Sequence, residues 1–178
     1  MAKARDIPGL NADMSFAAAA AATVAVRAEE VFEHAGGVLD TSEIERVHDM
    51  RVATRRLRAV LEIYAPCFPK GALRPVLADV KALADALGAR RDPDVLLDRL
   101  DALRGSLDSA DVPGIDAFAA RARAEQESGN AAVARALAEV EQSDLPGRLA
   151  GLAMSAAPPP VGASLEAHGA PADNGAGA

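Results

Sequence analysis

Four cationic side chains in the middle of the chain have a spacing that would place them on one face of an α-helix. His48, Arg51, Arg55 and Arg58 are spaced 3-4-3 in the sequence. At about 100° per residue, this spacing keeps the four within roughly 80° of one another. A row of guanidinium groups can bind a row of phosphates, because each planar fork holds two oxygens and its charge does not vary with pH. The segment therefore predicts an anion site, to which His48 adds a donor whose charge switches near neutral pH.

The same segment carries a second stripe, which would pack against other helices. Its members are spaced 3-4-3-4-3 and are Val47, Met50, Thr54, Leu57, Leu61 and Tyr64. The cationic stripe has an alternative interpretation as a solvated helix face, which is what charge runs usually are. Two features favour a site, since the stripe has one sign of charge and borders the apolar seam instead of opposing it. A residue beside the seam points into a groove between helices.

Two blocks of sequence resemble one known family. His48 to Arg58, HDMRVATRRLR, resembles the signature of the CHAD family, the conserved-histidine α-helical domain. Lys81 to Val95 is similar to the family's second block, a lysine-containing helix followed by Leu-Gly, a short basic step, Arg-Asp and Asp-Val. The resemblance covers roughly residues 13–105. It implies a helical fold that binds inorganic polyphosphate in a basic channel.

Both stripe and resemblance lead to one set of candidate ligand-binding residues. The predicted polyphosphate-binding residues are His48, Arg51, Arg55, Arg56, Arg58, Lys81, Arg90 and Arg91. No catalytic residue, metal or cofactor is predicted. The lack of a targeting signal, together with the resemblance, predicts a cytoplasmic protein, with polyphosphate granules as a candidate location.

Composition and charge agree with a helical protein that has a local anion site. Hydrophobic residues make up 50% of the chain, mostly Ala, Leu and Val, and alternating β-branched runs are absent. The net charge is −7, but residues 46–91 contain ten Lys/Arg and four Asp/Glu, a balance of +6 against −13 for the remainder. This asymmetry argues against general coating of DNA or membranes. Cys67 is alone and the histidines lack metal-ligand spacing, which excludes an intrachain disulfide and a cysteine metal cluster.

Capping and breaking signals predict four to five antiparallel helices. Asn11 or Asp13 would cap the first helix, Ser42 and Glu45 would form a capping box for the second, and Asp92 would cap the fourth. The predicted helices span about 12–34, 43–64, 72–87, 93–104 and 115–140. Gly88 would end the third helix, and Gly129-Asn130 would break or kink the fifth. Residues 1–10 are predicted to be a flexible leader, 11–145 the helical domain, and 146–178 a disordered tail rich in Pro, Gly and Ala.

The motifs indicate one half of a CHAD-type domain of two bundles, because no second histidine-to-arginine block follows Val140. Three explanations stay open: a natural half-length protein, a truncated product, or a protomer completed by a second copy. A homodimer would place two arginine helices opposite each other across a twofold axis.

Binding of polyphosphate is the leading functional hypothesis, and three others are weighed against it. An enzyme acting on phosphoanhydrides would need a metal held by carboxylates near the arginines, and the Glu-x-Glu-x-Lys motif of triphosphatases is absent. Nucleic-acid binding is disfavoured because aromatics are 3% of the chain, too few for a stacking platform. The last is a helical scaffold or interaction module without ligand binding of its own.

Overall fold

The computed structural model describes residues 3–158. This part of the chain contains five α-helices, one short 3₁₀ helix at Ala65–Cys67 and no strand. The α-helices are, in chain order, α1 (Phe16–Glu33), α2 (Ile44–Ile63), α3 (Lys70–Arg104), α4 (Val112–Gln142) and α5 (Leu145–Met154). The prediction of an all-α helical bundle is confirmed. No helix within residues 3–158 combines the length and the apolar character needed to cross a bilayer.

The central helix α2 packs between α1 and α3 and buries the predicted apolar stripe. Val47, Met50, Leu57 and Leu61 are each at most 1% exposed. Burial of a side chain of this kind contributes roughly 1.5–3 kcal/mol. Thr54 is equally buried, and its hydroxyl donates to the carbonyl oxygen of Met50 at 2.8 Å. The polar member of the stripe therefore enters the core with its hydrogen bond satisfied.

Two helices begin later than the sequence predicted. The cap of α1 is Ser15, whose hydroxyl accepts from the N–H of Ala18 at 3.2 Å, and not Asn11 or Asp13. The capping box predicted at Ser42 is also wrong. Its N–H and hydroxyl both donate to Oδ1 of Asp40, at 2.9 and 2.7 Å, and α2 begins two residues further on. In this local turn the Ser42 side chain is already bonded and does not reach the helix.

Helix α3 is continuous over 35 residues, which corrects the prediction of two helices separated at Gly88. Asp92 lies exposed inside the helix and caps nothing, and Pro93 is buried in the helix interior. Proline lacks the N–H that would bond the carbonyl oxygen of Ala89, four residues earlier. Long-range packing against α4 outweighs this local cost, since α3 and α4 run side by side as the most extensive helix pair.

Gly129 allows α4 to approach the backbone of α3 where Pro93 interrupts its hydrogen bonding. A Cβ atom at Gly129 would lie 2.9 Å from Cα of Arg90 and 3.1 Å from the carbonyl oxygen of Ala89. Only a residue without a side chain fits this crossing. Contrary to the prediction at Gly129-Asn130, α4 continues through the glycine, because its role is close packing and not a break.

The helical domain extends past Pro146, where the ordered part was predicted to end. Pro146 lies in the first turn of α5, a position that proline tolerates well. Oδ1 of Asp144 accepts from the N–H of Gly147 at 3.2 Å and caps the helix. Leu149 and Leu152 of α5 are at most 2% exposed and belong to the core. The rest of the predicted tail, residues 159–178, lies outside the described residues.

A cluster of charges holds the segment before α1 against that helix. The backbone N–H of Arg5 donates to Oε1 of Glu30 at 2.5 Å, and its guanidinium pairs with Glu29 and Glu33 at 2.8 and 2.6 Å. Arg27 donates to the other oxygen of Glu30 at 2.6 Å. Burial raises the pKa of Glu30, but the hydrogen bonds from Arg27 and Arg5 outweigh it and hold the pKa below its usual 4.5.

We expect Glu30→Gln to lower the free energy of unfolding by about 1–3 kcal/mol at neutral pH, because it removes charge-assisted hydrogen bonds in a buried site. A carboxylate with a depressed folded pKa stabilises the fold above its unfolded pKa, and this contribution is lost as pH falls through the folded value. The gap between the parent and Glu30→Gln should therefore close below pH 4.5. Urea unfolding followed by circular dichroism at several pH values measures it, and a gap that persists in acid would contradict the assignment.

Gly129→Ala should destabilise the protein by about 1–3 kcal/mol, since the added methyl must displace backbone atoms of α3. Gly151→Ala is the matched control, because a Cβ at this exposed helical glycine meets no atom of residues 3–158 within 4 Å. That variant should be neutral or more stable by up to about 1 kcal/mol. Thermal unfolding of both variants distinguishes them, and equal stability changes would rule out the close crossing.

Candidate anion-binding surface

The cationic stripe of α2 lies beside α3. At one end, Nζ of Lys81 on α3 lies 3.3 Å from Oε1 of Glu62 on α2. At the other end, Nη1 of Arg91 donates to the carbonyl oxygen of Ile44, the first residue of α2, at 3.3 Å. The two helices are therefore antiparallel here. We call the surface between these ends the α2–α3 junction, and its residues are His48, Arg51, Arg55 and Arg58 of α2 and Lys81, Ala84, Gly88 and Arg91 of α3.

The α3 side of the α2–α3 junction has small residues in the middle and a cationic residue at each end. Lys81, Ala84, Gly88 and Arg91 are spaced 3-4-3, the same spacing as the α2 stripe, and so share one helix face. A Cβ atom built at Gly88 would meet none of the described residues within 4 Å. Space is therefore open on α3 between its two cations.

Two arginines in the middle of the junction are unpaired in the part of the chain that the structure describes. Within residues 3–158, neither Arg51 nor Arg55 makes a hydrogen bond or an ion pair. Arg55 is exposed and Arg51 is half-buried. They are four residues apart, about one helical turn, so both guanidinium groups can bind the same elongated anion.

Glu62 partly offsets the positive charge at the end of the junction formed by the C-terminal turn of α2. Its Oε1 accepts from Nε of Arg58 at 3.1 Å and also faces Nζ of Lys81 at 3.3 Å. Burial raises the pKa of Glu62, but the hydrogen bonds from Arg58 and Lys81 outweigh it and leave the pKa below its usual value. Arg58 and Lys81, both predicted to bind the ligand, thus share one carboxylate.

His48 and Arg91 lie near acids at the opposite end. The side chain of Arg91 is 15% exposed and its Nη2 is 3.5 Å from Oε1 of Glu45, so it also fixes α3 against the start of α2. Potential metal-ligand atoms of Glu45, His48 and Asp49 lie within 4.8 Å of one another. Because Glu45 is exposed and already faces Arg91, the group does not define a metal centre.

Two of the predicted site residues lie away from the α2–α3 junction. Arg56 is about 100° round the helix from Arg55, and it lies close enough to Glu30 of α1 to lower the pKa of that acid. Arg90 is fully buried, so the prediction that it contacts the anion directly is wrong. The prediction had placed Arg90 in a turn. Inside a continuous α3 it falls on the stripe that faces α4, seven residues after the buried Leu83.

Arg90 belongs to a buried polar network that joins α3 to α4. Its guanidinium donates to Oδ1 of Asp94, one turn along α3, and lies 3.4 Å from Oδ1 of Asn130. Gln126 donates to the same oxygen of Asp94 at 2.7 Å. Neither this network nor the contacts of Glu62 with Arg58 and Lys81 were predicted from the sequence. The i,i+4 spacing of Arg58 to Glu62 and of Arg90 to Asp94 was the available signal.

We expect Asp94→Asn to lower stability by about 3 kcal/mol, because it leaves the charge of Arg90 buried without a counter-charge. The double variant Arg90→Met/Asp94→Leu should recover most of this loss, since an apolar pair of similar volume removes the buried charge. Asp116→Asn breaks the exposed pair with Arg104 and should change stability much less. Chemical denaturation measures all three, and a small loss in Asp94→Asn would show that the charge is not desolvated.

Comparison with known proteins identifies the family. The model of the CHAD domain matches residues 22–176, which is most of the chain, and it extends well past residue 105, where the motif resemblance ended. No curated protein and no solved structure gives a match. The match spans α2 with its cationic stripe and all of α3, the two helices that form the candidate surface. The chain therefore belongs to the CHAD domain family.

Proposed function

We propose that this protein binds inorganic polyphosphate along the α2–α3 junction, which acts as a basic groove. The observation that carries the proposal is the pair of open arginines, Arg51 and Arg55, on one helix face without an acid of their own. Guanidinium groups held by a rigid helix can each bind two phosphate oxygens. An anion that binds them gains charge-assisted hydrogen bonds without first separating an internal ion pair.

The shape of the cationic surface favours a linear polyanion over a single phosphate. His48 to Arg58 spans ten residues, or about 15 Å along the helix at 1.5 Å per residue. Lys81 and Arg91 extend the charge along the facing side. The open space at Gly88 leaves room for a chain lying along the junction. A linear phosphate chain has regularly spaced charges and no base edges, so recognition would depend on charge spacing and on salt.

Binding without hydrolysis is part of the proposal. Phosphoryl transfer needs metal ions or cations arranged around a positioned nucleophile. Glu62 and Glu45 lie at the two ends of the junction, and each already faces a cation of the protein. Binding to polyphosphate would also bring the protein to polyphosphate granules.

Removing the two open arginines should abolish most of the affinity. We expect Arg51→Ala/Arg55→Ala to weaken binding of long-chain polyphosphate by about tenfold or more, because hydrogen bonds to charged groups contribute about 1.5–3 kcal/mol each. The negative slope of log K against log salt should also become shallower by about one to two, at roughly 0.7 per lost phosphate contact. Fluorescence anisotropy with end-labelled polyphosphate at several salt concentrations measures both quantities.

Arg99→Ala/Arg135→Ala is the matched control, since it removes the same charge from exposed arginines of α3 and α4 outside the junction. This variant should bind nearly as well as the parent, and circular dichroism should show both variants helical. No binding by the parent protein, or equal losses in the two double variants, would contradict the proposal.

A further inference from the structure

Glu62 holds the cationic end of the α2–α3 junction in the way that a ligand oxygen would. One oxygen of its carboxylate lies 3.1 Å from Nε of Arg58 and 3.3 Å from Nζ of Lys81. Glu62 follows Arg58 by four residues and Arg55 by seven, so it lies on the cationic face itself. It is therefore an anion built into the row of cations.

The helix macrodipole disfavours an acid at this position. Glu62 is next to Ile63, the last residue of α2, and the last turn contains no basic residue. The C-terminal end of a helix carries partial negative charge, which disfavours a carboxylate there. The exposed fractions of 42% for Lys81 and 43% for Glu62 show that this pair remains open to solvent. A competing anion can reach both cations from outside.

We propose that Glu62 acts as an internal competitor that occupies the last binding position of the site, so that a polyphosphate chain must displace its carboxylate to bind Arg58 and Lys81. This inference rests on the proposed function. The open arginines, Arg51 and Arg55, take the first phosphates of a bound chain. Extension toward the C-terminal turn of α2 then exchanges the Glu62 carboxylate for a phosphate, with Arg58 and Lys81 keeping a counter-charge throughout.

The exchange makes affinity depend on chain length. A short anion such as tripolyphosphate is held by the open arginines and leaves Glu62 in place. A long chain gains contacts with Arg58 and Lys81 but must break two exposed ion pairs to do so. Glu62 therefore reduces affinity for long chains more than for short ones.

The test compares the parent, Glu62→Gln and Glu125→Gln in titrations with tripolyphosphate and with long-chain polyphosphate at one ionic strength. Glu62→Gln should bind the long chain about threefold to tenfold more tightly than the parent, the range expected when weak exposed pairs no longer compete. Its gain for tripolyphosphate should be clearly smaller. Glu125→Gln is the matched control, because Glu125 forms the same i,i+4 pair with Arg121, at 3.3 Å, on α4.

The outcomes separate this inference from the proposed function. Glu125→Gln removes one negative charge outside the junction and should change affinity by less than about twofold. Equal gains in affinity for Glu62→Gln and Glu125→Gln, or no gain for Glu62→Gln while the parent binds, would overturn the proposed role of Glu62. The proposed function would stand in either case. If no variant binds either anion, the proposed function fails and the role of Glu62 fails with it.

Discussion

Helix α2 must bury one stripe in the core while the adjoining stripe carries like charges. Arginines one turn apart repel each other, at roughly 0.2–0.5 kcal/mol for each pair. The buried side chains of the neighbouring stripe contribute roughly 1.5–3 kcal/mol each. Packing between α1 and α3 therefore holds α2 helical despite the repulsion, and the arginines keep their places on one helix face.

Two acids of the α2–α3 junction lie at its ends, where they join the helices, and not in the middle, where the ligand would bind. Glu62 and Glu45 face cations at the two ends, where they also bring α3 against α2. The middle, around Arg51 and Arg55, has no such partner among the described residues. The cations at the ends of the junction thus join the helices, and the two arginines in the middle are left open to a ligand.

Helical periodicity along a single segment was enough to predict the centre of the fold and of the candidate site. The two stripes of α2 depend only on local spacing, and the buried one lies where it was predicted. Arg90 and Pro93 were misjudged because their environment is set by α4, about forty residues further along the chain. Gly88, Asp92 and Pro93 favour a helix end locally, and only the crossing at Gly129 shows why α3 continues. Contacts between distant segments overrode local signals there.

The most direct test of the central claim is nuclear magnetic resonance of the arginine Nε–H groups during addition of polyphosphate. Binding along the α2–α3 junction predicts that the signals of Arg51 and Arg55 shift first, that Arg58 follows with longer chains, and that buried Arg90 is unaffected. Shifts confined to arginines of α4, such as Arg121 and Arg135, would contradict the account, as would a spectrum that does not change at all.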